Sequence, residues 1–555
     1  MLSDATGRLL SMRRDDGMWE GHLSSSAIST AVSVFALSVI DRQEYAREIQ
    51  QGTRWLIGTM KPEGAWGDSV ESPANMTATL LSYTALTSQG QVPEATEHYI
   101  HETLGWKTES QLVDGVLAYY GRDLSFSVPI LMMCALAGIV SDWKRIPSFP
   151  FELAVLPQSM FRFLNLPVVS YAIPALIAVG ILQNRRRKTW LSGVREWFVP
   201  KALRVLSQLQ PEDGGFLEAA PLTAFVSMCL AEAGLKDHPV TMSCAQFLRD
   251  TLRDDGAWPI DTNLSGWVTS LSCRALGHLL PEADRQALAD AIRGNATKQK
   301  HPFTCAPAGG WGWTPLSGSV PDGDDTAGAL VALHSLLGGH YVSEVGAGID
   351  WLIQLQNSDG GMPTFCRGWG KLPFDCSTPD ITAHALLAMS LWKDALPLEQ
   401  QPRCEKSIRR LTAWLEKAMT RDGAWNPLWF GDQDAQDEKN PVYGAATIVD
   451  YLQTAGVQVP STAKDFLLSC QNADGGWGGN KGVSSKVTLT AKALSALKHY
   501  RPACEEAISR GIDYLYAQYE AGTLYRREPI GLYFSRLWYS EQLYNYTYLI
   551  QALRQ

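Results

Sequence analysis

None of the ten cysteines stands in a C-x-x-C pair or at metal-ligand spacing, so neither a zinc site nor a disulfide scaffold is read from them. Cys134 in LMMCALAG and Cys229 in VSMCLAEAG have apolar neighbours, where a thiol serves as a small core group. Positive charge is not in excess: the net charge is −9 over 555 residues, which argues against a nucleic-acid partner. The basic cluster Arg185-Arg186-Arg187-Lys188 is too short to reverse that. Low-complexity tracts are absent, and strand-like alternation of apolar and polar side chains is scarce. The opening MLSDATGRLLSMRRDDG has no apolar stretch of the signal-peptide kind, so the expectation is a reducing, cytoplasmic location.

Long uncharged runs are scarce too. One stands out, from Phe163 to Gln183, with the basic cluster after it. It is long enough to span a bilayer. Pro167, Pro174, Asn165 and Ser170, and the lack of a second candidate, favour a buried helix or a monotopic apolar surface instead.

What the sequence has in abundance is one turn, repeated. DDGMW (Trp19), PEGAW (Trp66), EDGGF (Phe216), DDGAW (Trp258), AGGWGW (Trp311), SDGGM (Met362), RDGAW (Trp425) and ADGGW (Trp477) share a glycine two residues before a large side chain. Neighbours are often about 42 to 53 residues apart, the range of helix-pair repeats. Ala/Leu-rich segments of helical period follow, such as TATLLSYTALTSQG, TAGALVALHSLLGG and LTAKALSALKHY. The glycine ends one helix at positive φ, and the aromatic packs between helices. The chain reads as all-α. Periodicity alone does not decide between an open solenoid and a closed α/α toroid.

The sharpest chemical feature is Pro321-Asp322-Gly323-Asp324-Asp325-Thr326-Ala327, at the start of a helical segment. The plain reading is an acidic helix N-terminus, where aspartates cap free N–H groups. Three carboxylates in four positions also repel one another, so one can hold its proton near neutral pH. With GGWGW just upstream, acid and aromatic faces have the makings of one cavity. There an acid protonates an alkene and the rings shelter a cation, each worth about 2 kcal/mol when desolvated.

At these residues the chain resembles the squalene–hopene cyclase branch of the terpene cyclase/mutase family. GGWGWTPLSGSVPDGDDTAGAL is similar to that family's aromatic turn followed by D-x-D-D-T-A, and the Gly-x-Trp turns to its QW repeats. The resemblance runs from DDGMW to the aromatic C-terminus. It implies an all-α fold of two α/α barrels (α6–α6 toroids), one inserted into the other. Residues 1–23 with 263–555 would form the catalytic barrel, and 24–262 the inserted one. It implies that Asp324 is the proton donor, with Asp322 and Asp325 setting its acidity. His384 in Asp380-Ile381-Thr382-Ala383-His384 would be its hydrogen-bond partner, as a protonated imidazole. Trp267, Trp313, Trp429, Phe365, Tyr171, Phe126 and Asp380 would meet the substrate. Phe365 stands where the family commonly has tyrosine. In the tail IGLYFSRLWYSEQLYNYTYL the register is loose, so Tyr533, Phe534, Trp538 and Tyr539 are candidates without assignment.

The implied reaction is proton-initiated cyclisation of squalene or a similar linear polyprenoid, with no organic cofactor and no metal. The implied setting is peripheral and monotopic, on the cytoplasmic side of a membrane; the sequence leaves a homodimer open. A class II diterpene cyclase acting on geranylgeranyl diphosphate would share Asp324 and both barrels, but needs basic residues, usually with Mg²⁺, at the cavity mouth. No D-D-x-x-D run supports metal-dependent ionisation. A protein prenyltransferase subunit needs a zinc-bound thiolate, and Asp375-Cys376 lacks the intervening residue. A non-catalytic helical scaffold predicts that Asp324→Asn changes nothing.

Overall fold

The computed structural model describes residues 1–121, 124–156, 160, 173–302, 306–365, 375–533 and 537–554. Its helices sort into two kinds. Some are buried almost all round: α2 (Ala27–Asp41), α3 (Met76–Ser88), α4 (Leu124–Leu136), α5 (Ile173–Arg186) and α6 (Ala220–Leu230) in the first half, then α7 (Ser265–Leu276), α8 (Gly323–Leu337), α9 (Pro379–Trp392), α10 (Pro441–Thr454), α11 (Val487–Leu497) and α12 (Gln542–Leu553). Others bury one stripe. Gln401–Ala418, for instance, buries Cys404, Ser407, Leu411 and Leu415, the i, i+3, i+4 spacing of a helix with one wet face.

The all-round apolar helices form the inner walls of two rings. In the first, α2, α3, α4, α5 and α6 each pack on the next, and α6 closes onto α2. In the second, α7 through α12 do the same, and α12 closes onto α7. The one-sided helices lie outside. Glu282–Gly294 packs on α8, Ser343–Leu355 on α8 and α9, Gln401–Ala418 on α9, Ser461–Ser469 on α10 and Glu505–Glu520 on α11. The outer helix against α12 is α1 (Leu2–Ser11), from the other end of the chain. Where the chain passes between the rings, β1 (Ser25–Ser26) pairs antiparallel with β2 (Trp258–Pro259). The uncharged run divides here: Ile173–Arg186 is a buried ring helix, while the residues before it, Tyr171 among them, lie outside the described residues. No helix among the described residues is long and apolar enough to cross a membrane.

The repeated turn is the clamp that holds outer helices to inner ones. The indole N–H of Trp66 donates to the carbonyl of Leu56 (2.8 Å), Trp258 to Leu248 (2.7 Å), Trp425 to Leu415 (2.9 Å) and Trp477 to Leu467 (2.7 Å), ten residues back each time. Each adds a donor to a carbonyl in the last turn of an outer helix, where the helical ladder runs out. The same tryptophans' backbone N–H groups donate to inner-helix threonines: Trp66 to Thr79, Trp258 to Thr30 and Trp477 to Thr490. The glutamine ahead of the turn completes the tie. Gln471 donates to Gly475 O (2.8 Å) and to Ala507 O (2.9 Å) on the next outer helix. Gly475 has φ +89°, and a Cβ there would stand 2.3 Å from the Arg510 carbonyl, which only glycine avoids.

Candidate active site

Asp322, Asp324 and Asp325 have three different environments. Asp322 is the N-cap of α8: its Oδ1 accepts from the N–H groups of Asp324 and Asp325, both at 2.8 Å. Asp325 is buried against it and hydrogen-bonds with it; burial, with the charge of Asp322 adding, pushes its carboxyl well above the ordinary range. Burial pushes Asp322 up as well, to about 7, so the pair of carboxyls shares a proton near neutral pH. Asp324 points elsewhere. Its Oδ1 lies 2.6 Å from Nδ1 of His384, and its side chain keeps 22% of its surface, on a cavity.

His384 lies on α9, fully enclosed. Its ring stacks at a tilt on Tyr451 (centroids 4.8 Å) and meets Trp267 edge-on (6.0 Å). Burial lowers its pKa below the usual imidazole value, and the charges of Arg274 and Lys492 lower it further, against the attraction of Asp324. The imidazole is thus held toward its neutral form, a correction to the charged ring expected from the sequence. Behind it Arg274 pairs with Asp450 (2.8 Å), which also meets His499 Nε2 (2.9 Å). Arg274 lies over the Tyr451 ring at 4.4 Å, and Lys492 over Tyr548, Tyr443 and Tyr451 at 4.7, 4.8 and 5.8 Å. These cations were not singled out in the sequence: LTAKALSALK gives no sign that Lys492 faces inward.

The cavity, of about 230 Å³, lies between the two rings. From the second ring and its loops it is lined by Asp322, Asp324, Asp325, Trp267, Trp313, Phe365 and Trp429, and from the first ring by Phe126 among others. So the structure brings the expected aromatics together around one cavity, Tyr171 excepted, since it is not among the described residues. Phe365 meets Trp313 and Trp429 edge-on, at 6.3 and 6.0 Å. Trp429 Nε1 donates to Thr364 (3.2 Å), and Trp267 Nε1 to Tyr544 (3.2 Å), which fixes both indole planes.

Asp380 is placed differently from the substrate contact expected of it. It is buried behind the wall, where its carboxylate accepts from the Thr378 hydroxyl and from Leu428 N–H (3.2 Å), and so steadies the residue before Trp429. Burial raises it to about 6. In the tail, β3 (Gly531–Tyr533) pairs with β4 (Leu537–Tyr539). Leu537 and Tyr539 line the cavity while Trp538 turns away against Gly431, the alternation a strand imposes. Phe534 and the side chain of Tyr533 lie outside the described residues. Sequence reasoning missed Asp261 and Phe430, also on the wall. Neither belongs to the repeated turn. Among the described residues no group of His, Cys, Asp and Glu is arranged to hold a metal.

Residues 267–555 match the model of the squalene-hopene cyclase C-terminal domain, and residues 2–100 that of the N-terminal domain. A probable squalene–hopene cyclase from Sinorhizobium fredii is 24% identical over 97% of this chain and 93% of its own length. Enfumafungin synthase efuA from Hormonema carpetanum is 24% identical over 93% of this chain, which spans only 45% of it. Among solved structures, ent-copalyl diphosphate synthase from Streptomyces platensis superposes with a TM-score of 0.59 at 18% identity, covering 100% of this chain and 98% of that one.

Proposed function

The chain belongs to the squalene-hopene cyclase family, and from that premise we propose that it is a class II cyclase in which Asp324 protonates a terminal alkene of squalene or a similar linear polyprenoid. The observation that carries the proposal is the position of Asp324, with one oxygen on His384 and its free surface on an aromatic-lined cavity. In the Nδ1–H tautomer His384 donates to Oδ1 and leaves Oδ2 to bear the transferable proton. Alkene protonation creates a tertiary cation, and ring closures move it along Trp267, Trp313, Phe365 and Trp429. Their π faces stabilise each cation without capturing it.

Squalene is favoured over a diphosphate substrate by the charge of the wall. Its described ionisable residues are the carboxyls of Asp261, Asp322, Asp324 and Asp325 and the phenol of Tyr539, with no Lys, Arg or His among them to hold a diphosphate. An exposed apolar patch on the first ring's side of the chain supports a peripheral membrane setting. Just after the basic cluster, Trp190 and Trp197 are 89% and 83% exposed, with Leu191, Val194 and Phe198 exposed beside them. We propose that this patch enters a lipid surface. The test of the reaction is product analysis by mass spectrometry after incubation with squalene. Wild type is expected to make a cyclic triterpene and Asp324→Asn none; turnover by a folded Asp324→Asn would end the proposal.

A further inference from the structure

Asp261 is a carboxylate in the wall of the cavity, outside the acid motif. It follows β2, where the two rings meet, and is buried except toward the cavity: its residue is 6% exposed. The backbone around it is built with effort. Ala219 forms an antiparallel bridge with Asp261, and the two residues before Ala219, Leu217 and Glu218, have φ of 56° and 55°. Side chains rarely adopt such angles, and two in succession persist only where surrounding contacts impose them. Here they are imposed. Thr262 N–H donates to Glu218 O (3.1 Å), and the Thr314 hydroxyl reaches the Glu218 carboxyl oxygens at 2.7 and 2.9 Å. The result turns Glu218 away from the cavity while Leu217, Ala219 and Asp261 stay on its wall. Burial, with the charge of Asp261 adding, raises Glu218 to about 8. Of the two neighbouring acids, Glu218 keeps its proton off the wall, and Asp261 is the one that faces the cavity.

We infer that Asp261 is the base that ends the cascade, taking a proton from the carbon beside the last cationic centre. This rests on the cyclase reading above. The C–H bond next to the cation breaks, its electron pair becomes the π bond of the product, and the proton passes to the Asp261 carboxylate. One proton enters the hydrocarbon at Asp324 and one leaves at Asp261, so the product is an isomer of the substrate. The other polar groups of the wall do not suit the task. Burial raises the Tyr539 phenol, with the charges of Asp261 and Asp324 adding, so it is not an anion at neutral pH. Asp322 is engaged as the cap of α8, and Asp325 is buried against it, burial pushing both carboxyls up. Asp324 stands at the head of the folded substrate, where the reaction starts and not where it ends.

The experiment compares full-length wild type, Asp261→Asn, Asp261→Glu and Asp324→Asn, each incubated with squalene and, separately, with geranylgeranyl diphosphate, with products resolved by gas chromatography and mass spectrometry. With the base gone, the wild-type alkene is expected to fall about a hundredfold relative to all other products, the low end of what a positioned base contributes. Alcohols from water capture and products of earlier termination take its place, and Asp261→Glu restores part of the alkene. An unchanged product ratio in folded Asp261→Asn overturns the inference and leaves the cyclase reading intact. So does a total loss of products in that variant, which would put Asp261 ahead of termination. If wild type itself converts neither substrate, the cyclase reading fails, and the inference fails with it.

Discussion

Replacing His384 by phenylalanine removes the Asp324 partner but keeps a ring between Tyr451 and Trp267, so packing is disturbed little. The hydrogen bond between His384 and Asp324 is short, 2.6 Å, and enclosed. A hydrogen bond to a group that becomes charged contributes about 1.5–3 kcal/mol. When Asp324 gives up its proton the new carboxylate needs that donor, so the bond is stronger in the transition state than before it. Only such differential terms change the rate of the chemical step. At about 1.4 kcal/mol per tenfold, the expected loss in kcat is about 10- to 150-fold. His384→Asn, whose amide can still donate from about the same place, is expected to recover part of it. The assay is single-turnover product formation from squalene, with circular dichroism to confirm the fold. If folded His384→Phe turns over within about threefold of wild type, His384 is a core residue and the assignment of its role is wrong.

Trp477→Phe takes the indole donor from the Leu467 carbonyl in a fully buried site and leaves it the Cys470 N–H at 3.2 Å, a cost of about 0.5–1.5 kcal/mol for the hydrogen bond lost; urea denaturation should show it, and an unchanged midpoint would refute the clamp. Stability should also depend on pH. Burial raises Asp322, Asp68 and Glu541 to about 7 and Glu218 to about 8, so below those values the native state holds protons that the unfolded chain lacks. Their stabilisation is present at low pH and lost as pH rises through 7 to 8. Lys492, lowered to about 7 by burial, opposes this only above its folded value, and the lowered histidines only below about 6.5. The melting temperature is therefore expected to be higher at pH 6.5 than at pH 7.5, and a flat or inverted profile would contradict these environments. Trp190→Ser with Trp197→Ser should lose cosedimentation with phosphatidylglycerol–phosphatidylethanolamine vesicles while keeping the melting temperature; unchanged binding would remove the patch from the membrane face.

The all-α fold is legible in the sequence because its clamp is written locally. The glycine, the tryptophan and the carbonyl ten residues back lie within one turn and one helix, so each repeat announces itself. The acid motif and His384 are legible for another reason: each stands in a short motif, D-x-D-D-T-A and D-x-T-A-H, that the family resemblance singles out. The charged residues of the interior are not. Arg274, Asp450 and Lys492 stand on three different inner helices and meet only once the ring has closed. In the sequence each looks like the wet face of an ordinary helix, yet the charges of Arg274 and Lys492 add to the burial that favours the neutral form of His384. Asp261 escapes notice likewise, since its exposure to the cavity depends on a strained backbone more than forty residues earlier.

The pairing of α1 with α12 has a consequence for the order in which the molecule can be made. A ribosome delivers α1 first and α12 last, and α12 is the wall element that joins α11 to α7 and takes α1 on its outer side. Until it emerges, the inner faces of α7 and α11 have no neighbour on that side, and the first helix waits unattached. The ring of α2 to α6 has all its members long before that and can settle as a unit during synthesis. The half that holds the acid is thus the last to become watertight, and a nascent chain stalled short of α12 would present an open apolar bowl to the cell's chaperones.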